Sequence, residues 1–145
     1  MAHLSQLYLL DTNIATYLAT GRFPNVRERY LALRGTASFA ISAVTAGELH
    51  YGIAKRPSAV RLRMNVVDVF EQADVLPWDS DVALAYGELR AKLEVSGIGI
   101  SPLDLMIAGH AYALGATLVT HDTALKRLNA HLTIEDWVHA EQEPL

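Results

Sequence analysis

Apolar positions in this chain fall into short runs separated by longer stretches with a helical repeat. Residues 7–10 form a compact apolar run, read as a buried strand, that stops at Asp11. A helix is predicted over 12–19, ended by Thr20 and Gly21, and Asn25 is placed to cap a second helix running to Arg34. Residues 38–41 give the next strand, after which Ser42 can cap a helix from Ala43 to about Lys55. Pro57 and Ser58 restart a helix that ends near Phe70, and a brief strand over 74–76 is closed by Pro77. The pattern is helical again over 79–96, then a loop reaches Pro102, where a helix opens that runs to Leu114 with Gly115 as its C-cap. A fourth strand over 117–120, a short helix to Leu128 and a last strand over 132–134 complete the pattern.

Strands therefore alternate with helices, and their apolar runs are of the kind that parallel sheets bury on both faces. The expectation is a three-layer α/β domain over residues 1–145, with no linker, repeat or low-complexity segment. In such a sheet the first and fourth strands are neighbours.

Composition narrows this further. With 145 residues, 51% of them hydrophobic, the chain can build one substantial core. Mean hydropathy is +0.17, yet no apolar run approaches the roughly 18 residues of a membrane span. The first six residues carry no basic stretch or small-residue cleavage site, so a cytoplasmic location is expected. The absence of cysteine excludes disulfides, thiolate zinc sites and cysteine nucleophiles. Net charge is −4, although Lys55, Arg56, Arg61 and Arg63 form one basic group and Arg22, Arg27, Arg29 and Arg34 another. These groups are either solvated helix faces or holders of phosphate or an acidic partner.

Four acids carry the candidate chemistry. Asp11 and Asp122 follow strand ends, where each is either a helix cap or a ligand. Asp104 lies in the first turn of its helix and shares a face with Ile107, Ala108 and Ala111. Glu48 rides a largely apolar stripe beside Gly47, a residue that lets another backbone come close. Two carboxylates about 4 Å apart repel by roughly 4 kcal/mol at an effective dielectric of 20. Four converging at one sheet edge would take up protons or bind a cation. Oxygen-only ligation favours Mg²⁺ or Mn²⁺ over zinc, and such an ion activates water against a phosphodiester. His50 and His110 should point away from these acids, and His121 should face opposite to Asp122.

Other phosphate chemistries fail on detail. Asn13 stands where a D-x-D-x-T phosphatase needs its second acid. Gly97-Ile98-Gly99 lacks the third glycine and the preceding strand of a dinucleotide fingerprint. There is no P-loop and no G-x-S-x-G.

Five segments in order resemble a PIN-domain ribonuclease of the VapC toxin type. They are Leu10-Asp11-Thr12-Asn13; Ile41-Ser42-Ala43-Val44-Thr45-Ala46-Gly47-Glu48-Leu49 with Tyr51-Gly52; Pro102-Leu103-Asp104-Leu105-Met106-Ile107-Ala108 with Ala111; Leu118-Val119-Thr120-His121-Asp122; and Glu135-Asp136-Trp137. The resemblance spans nearly the whole chain. It implies about five parallel strands flanked by helices, a homodimer, and Mg²⁺- or Mn²⁺-dependent endonucleolytic cleavage of RNA. It also implies Asp11, Glu48 and Asp104 as the core metal-binding acids, Asp122 as the fourth, Thr120 as a support, and Asn13 as the residue that shapes the first turn. The implied partner is a VapB-type antitoxin whose C-terminal tail wraps the toxin, so that DNA is reached only through the antitoxin. Two departures stand out. His121-Asp122 replaces a common asparagine pair, which favours a complete four-carboxylate site. Leu125 and Leu128 fill a region where phenylalanine is frequent, a change of local packing. The alternatives are a PIN-like nuclease of RNA processing that has no antitoxin, and a catalytically silent binding module.

Overall fold

The structure, a computed structural model, describes residues 6–139, so the reading of the first residues as free of a leader lies outside it. Five strands, β1 (Gln6–Leu10), β2 (Ala37–Ser42), β3 (Asp74–Leu76), β4 (Thr117–Val119) and β5 (Ile134–Glu135), form one sheet in the order β3-β2-β1-β4-β5. Every pairing is parallel, with Leu9 opposite both Ala40 and Leu118. The helices are α1 (Thr12–Thr20), α2 (Pro24–Leu33), α3 (Ala43–Lys55), α4 (Val60–Gln72), α5 (Ser80–Val95), α6 (Pro102–Leu114) and α7 (Thr123–Lys126), the last continued by a 3₁₀ turn over Arg127–Ala130.

Alternation along β1 divides the core. Tyr8 and Leu10 point to one face, where they meet Ile14, Leu18, Val26, Val66, Val69 and Trp137. Leu9 points to the other and packs with Leu89, Leu93, Ile107, Ala108, Leu118, Leu125 and Leu128. The sheet is thus the middle of three layers, and each face buries a continuous apolar surface. Leu125 and Leu128 are fully buried, so aliphatic packing closes the region where the resembled family often has phenylalanine.

Several boundaries differ from the sequence reading for local reasons. α2 begins at Pro24, whose fixed φ suits a first helical position, and Asn25 donates its Nδ2–H to the Val138 carbonyl at 3.1 Å instead of capping. α4 starts at Val60 with no side-chain cap, two residues after Ser58. β5 is Ile134–Glu135, later than the predicted 132–134. The close backbone approach expected at Gly47 lies elsewhere. A Cβ on Gly47 would meet nothing within 4 Å, whereas one on Gly109 in α6 would meet Tyr86 Cβ of α5 at 2.9 Å.

After β1 the chain builds outward through β2 and β3, then returns to the opposite side for β4 and β5. The direction of winding reverses between β1 and β4. In open parallel sheets the crevice beyond the strand ends at such a point is where ligands bind. Asp11 leaves β1 there, and Thr120 and Asp122 leave β4 beside it.

Candidate active site

Asp11 extends the β1–β4 pairing by one step, its backbone N–H donating to the Val119 carbonyl at 3.1 Å. Its Oδ1 accepts the Ile14 N–H at 2.8 Å and caps α1, so the capping role read from sequence is real. Asp11 is also only 4% exposed, although it follows directly on the carboxyl end of β1. Burial, opposed by hydrogen bonds from Thr120 and Ile14 and reinforced by the charges of Asp104 and Asp122, pushes its pKa up to about 6. Asp104 and Asp122 are thus the charged neighbours that Asp11 feels.

Thr120 connects two of them. Its buried hydroxyl hydrogen-bonds the Asp11 carboxylate and accepts the Asp122 N–H at 3.0 Å. Asp122 in turn caps α7 by accepting the Leu125 N–H at 2.9 Å, which leaves its second oxygen for other partners. Asp104 opens α6, where the Ser101 hydroxyl donates to its Oδ2 at 2.8 Å.

Glu48 is tied to the start of α1 through a residue not singled out in the sequence. The hydroxyl of Thr12, next to Asp11, donates to Glu48 Oε1 at 2.7 Å and lies 3.2 Å from the buried Thr45 hydroxyl. α3 is thereby tied to the first turn of α1. Asn13 is exposed and its side chain makes no hydrogen bond among the described residues; the turn's capping bond comes from Asp11. Ser101 could have been found from position alone, since a hydroxyl at a helix start reaches the carboxylate three residues on.

The histidines stand apart from this cluster. His50 stacks on Phe70 at 5.1 Å, and His110 is buried against Ser42. His121 turns to Asp136, 2.9 Å away. Among the described residues, the set of three or more metal-ligand side chains with donor atoms all within 4.8 Å of one another is His121, Asp136 and His139; no three of the four acids come that close together. Mg²⁺ characteristically keeps several waters and takes one or two carboxylates directly, which suits acids at this spacing. A carboxyl raised chiefly by burial, and further by neighbouring like charge, is stabilised in its charged form by a nearby cation.

Of the basic residues, Arg27 donates to the Leu18 and Ala19 carbonyls at the end of α1, and Arg29 pairs with Glu135 at 3.5 Å. Arg22 lies over the Tyr17 and Phe23 rings. Lys55, Arg56, Arg61 and Arg63 are exposed. Beside Glu48 runs an apolar groove of about 680 Å³ lined by Val44, Gly47, Tyr51, Leu62, Leu103 and Met106, among others. No helix among the described residues is long and apolar enough to cross a membrane.

Comparison with known proteins agrees with this geometry. The PIN domain family matches residues 8–130. The tRNA(fMet)-specific endonuclease VapC of Shigella flexneri is 35% identical over 130 residues, covering 90% of this chain and 97% of that protein. Ribonuclease VapC2 of Rickettsia felis is 34% identical over 133 residues, covering 90% and 98%. Among solved structures, VapBC2 from Rickettsia felis bound to a DNA fragment from its promoter superposes with a TM-score of 0.82 at 31% identity, over 91% of this chain and 99% of that one. VapBC-1 from nontypeable Haemophilus influenzae gives 0.79 at 30% identity, over 92% and 100%. With its order of strands, its acids at the sheet's switch point and relatives matched over nearly their full length, the chain belongs to the PIN-domain family, in its VapC branch.

Proposed function

We propose that the protein is a divalent-metal-dependent endoribonuclease acting in the cytoplasm as the toxin of a type II toxin–antitoxin pair. The observation that carries the reading is Asp11, buried at the crevice with its pKa raised toward neutrality and the charges of Asp104 and Asp122 upon it. Asp11, Glu48, Asp104 and Asp122 are the residues that would hold Mg²⁺ or Mn²⁺. When bound, such an ion supplies Lewis acidity, polarising the phosphodiester and making water acidic enough to attack near neutral pH.

The chain's own side chains set up the rest. Thr120 hydrogen-bonds Asp11 and fixes the backbone of Asp122, Ser101 orients Asp104, and Thr12 orients Glu48. Each support is a short hydroxyl contact to a carboxylate or its backbone, the kind of outer contact that holds ligands in position. We take the PIN domain to extend over residues 1–145.

The apolar groove running away from Glu48 suits an apolar segment of a VapB-type antitoxin, with DNA contacted only through that partner. The solved relatives named as VapBC complexes, one with promoter DNA, support this arrangement. A homodimer is part of the same reading.

The test is RNA cleavage by the purified chain with Mg²⁺ or Mn²⁺, wild type beside Glu48→Gln. The first RNA to try is tRNA(fMet), the substrate in the name of the Shigella flexneri relative. Cleavage that requires the ion and is lost in the variant is expected. Intact RNA with wild type and added metal would overturn the proposal. Growth arrest on expression, relieved by Asp11→Asn, separates a toxin from a nuclease of RNA processing.

A further inference from the structure

Beyond the acidic crevice, a second group of metal-ligand side chains gathers on the far side of β4. His121 Nδ1 lies 2.9 Å from Asp136 Oδ2, and the His121 and His139 rings are 5.1 Å apart at 65°. One ligand atom from each of the three comes within 4.8 Å of the others. The geometry points to a binding site for a zinc-class divalent cation formed by His121, Asp136 and His139, separate from the four acids.

The backbone that presents these ligands is anchored. Between Asp136 and His139, Trp137 and Val138 are both buried, at 3% and 8% exposure. The Val138 carbonyl accepts Asn25 Nδ2–H at 3.1 Å, and its N–H donates to Asp136 Oδ1 at 2.9 Å. Asp136 and His139 therefore flank a fixed pair of residues, while His121 sits on the β4–α7 junction.

The donor set selects the ion. Two imidazoles and one carboxylate suit Zn²⁺ and its transition-metal neighbours, and three protein ligands leave a position open to water. The acidic crevice offers oxygen alone and suits harder cations. Lys126 already places a positive charge here, its Nζ 2.7 Å from Asp136 Oδ2. That side chain is 36% exposed, so it can swing into water when a cation takes its place. An ion here would join the β4–α7 junction to the segment after β5, one residue from Asp122.

Zinc titrated by calorimetry into the full chain carrying Asp11→Asn and Glu48→Gln tests this, because those changes weaken the acidic crevice and leave the histidine group intact. One saturable Zn²⁺ per chain is expected. His139→Ala, at an exposed position where the fold tolerates the loss, weakens it at least tenfold, and so does Asp136→Asn. Thermal melts verify that both variants are folded. No saturable binding, or an affinity that His139→Ala leaves unchanged, overturns the assignment. Either failure leaves the ribonuclease reading intact, since that reading rests on the acids and is tested by RNA cleavage.

Discussion

His110 Nδ1 of α6 and Ser42 Oγ at the end of β2 lie 2.8 Å apart in the interior. Ser42 Oγ also accepts the Val44 N–H at 3.1 Å, so its own hydrogen is free for His110. One serine thus caps the helix that carries Glu48 and fastens it to the helix that carries Asp104. His110 is 1% exposed, and burial lowers its pKa despite the charge of Asp79.

His110→Ala strands the serine hydroxyl and opens a cavity, with an expected loss of about 1–3 kcal/mol for the unsatisfied group alone. His110→Asn can present its amide oxygen near the place of Nδ1 and should recover part of that loss. Urea unfolding of the three proteins measures it. The same histidine gives a pH dependence. Its folded pKa lies below the unfolded 6.5, so its stabilising effect is complete above pH 6.5 and is lost as pH falls below that value. The His110→Asn variant should lack this acid-side component.

Two glycines separate tight packing from open surface. Gly109→Ala drives a methyl group to 2.9 Å from Tyr86 Cβ and 3.0 Å from its Cα, and backbone has little room to yield. Overpacking of this kind costs about 1–3 kcal/mol. Gly47→Ala meets nothing within 4 Å and should gain up to about 1 kcal/mol from helix propensity. Opposite shifts in Tm are the expected result; equal shifts would refute the packing argument at the α5–α6 contact.

This contrast shows what could be read from the chain without coordinates. Among the described residues periodicity located the helices and the first four strands, with the last strand shifted, because burial on two faces of a sheet leaves short apolar runs and burial on one leaves a stripe. The sharp turns at Asp11, Ser42 and Gly115 were readable because each carries local capping chemistry. Gly109, His110 and Thr12 were not, since their partners Tyr86, Ser42 and Glu48 lie far away in sequence and depend on how helices pack. Asn25 misled for the same reason: it is a good cap by composition, and its amide was taken by Val138, 113 residues later.

Thr12→Val tests the support beneath Glu48. Valine keeps the shape of threonine and removes the hydroxyl that donates to Glu48 Oε1 at 2.7 Å. Loss of an outer contact of this type typically lowers metal affinity or activity by about 10–100-fold. The decrease should appear in kcat at saturating RNA and be partly offset by raised Mg²⁺, because Glu48 remains present and only its orientation is lost. An unchanged rate would mean that Glu48 is held by other means.

Asp11→Asn should make the protein more stable while abolishing cleavage. Asparagine caps helices about as well as aspartate, so α1 keeps its first turn. What is removed is a buried charge. The folded pKa of Asp11 is raised from 3.8 to about 6, so wild type holds its proton more tightly when folded. That contribution to stability is fully present below pH 3.8 and lost as pH rises through 6. The difference in unfolding free energy between variant and wild type should therefore grow by roughly 2 kcal/mol between pH 4 and pH 7, most of the full effect at 1.36 kcal/mol per pKa unit. Added Mg²⁺ or Mn²⁺ should narrow the gap at pH 7 by stabilising wild type more than the variant. A difference that stays flat with pH would show that Asp11 bears its charge without strain, and the electrostatic case for a cation at the crevice would fall with it.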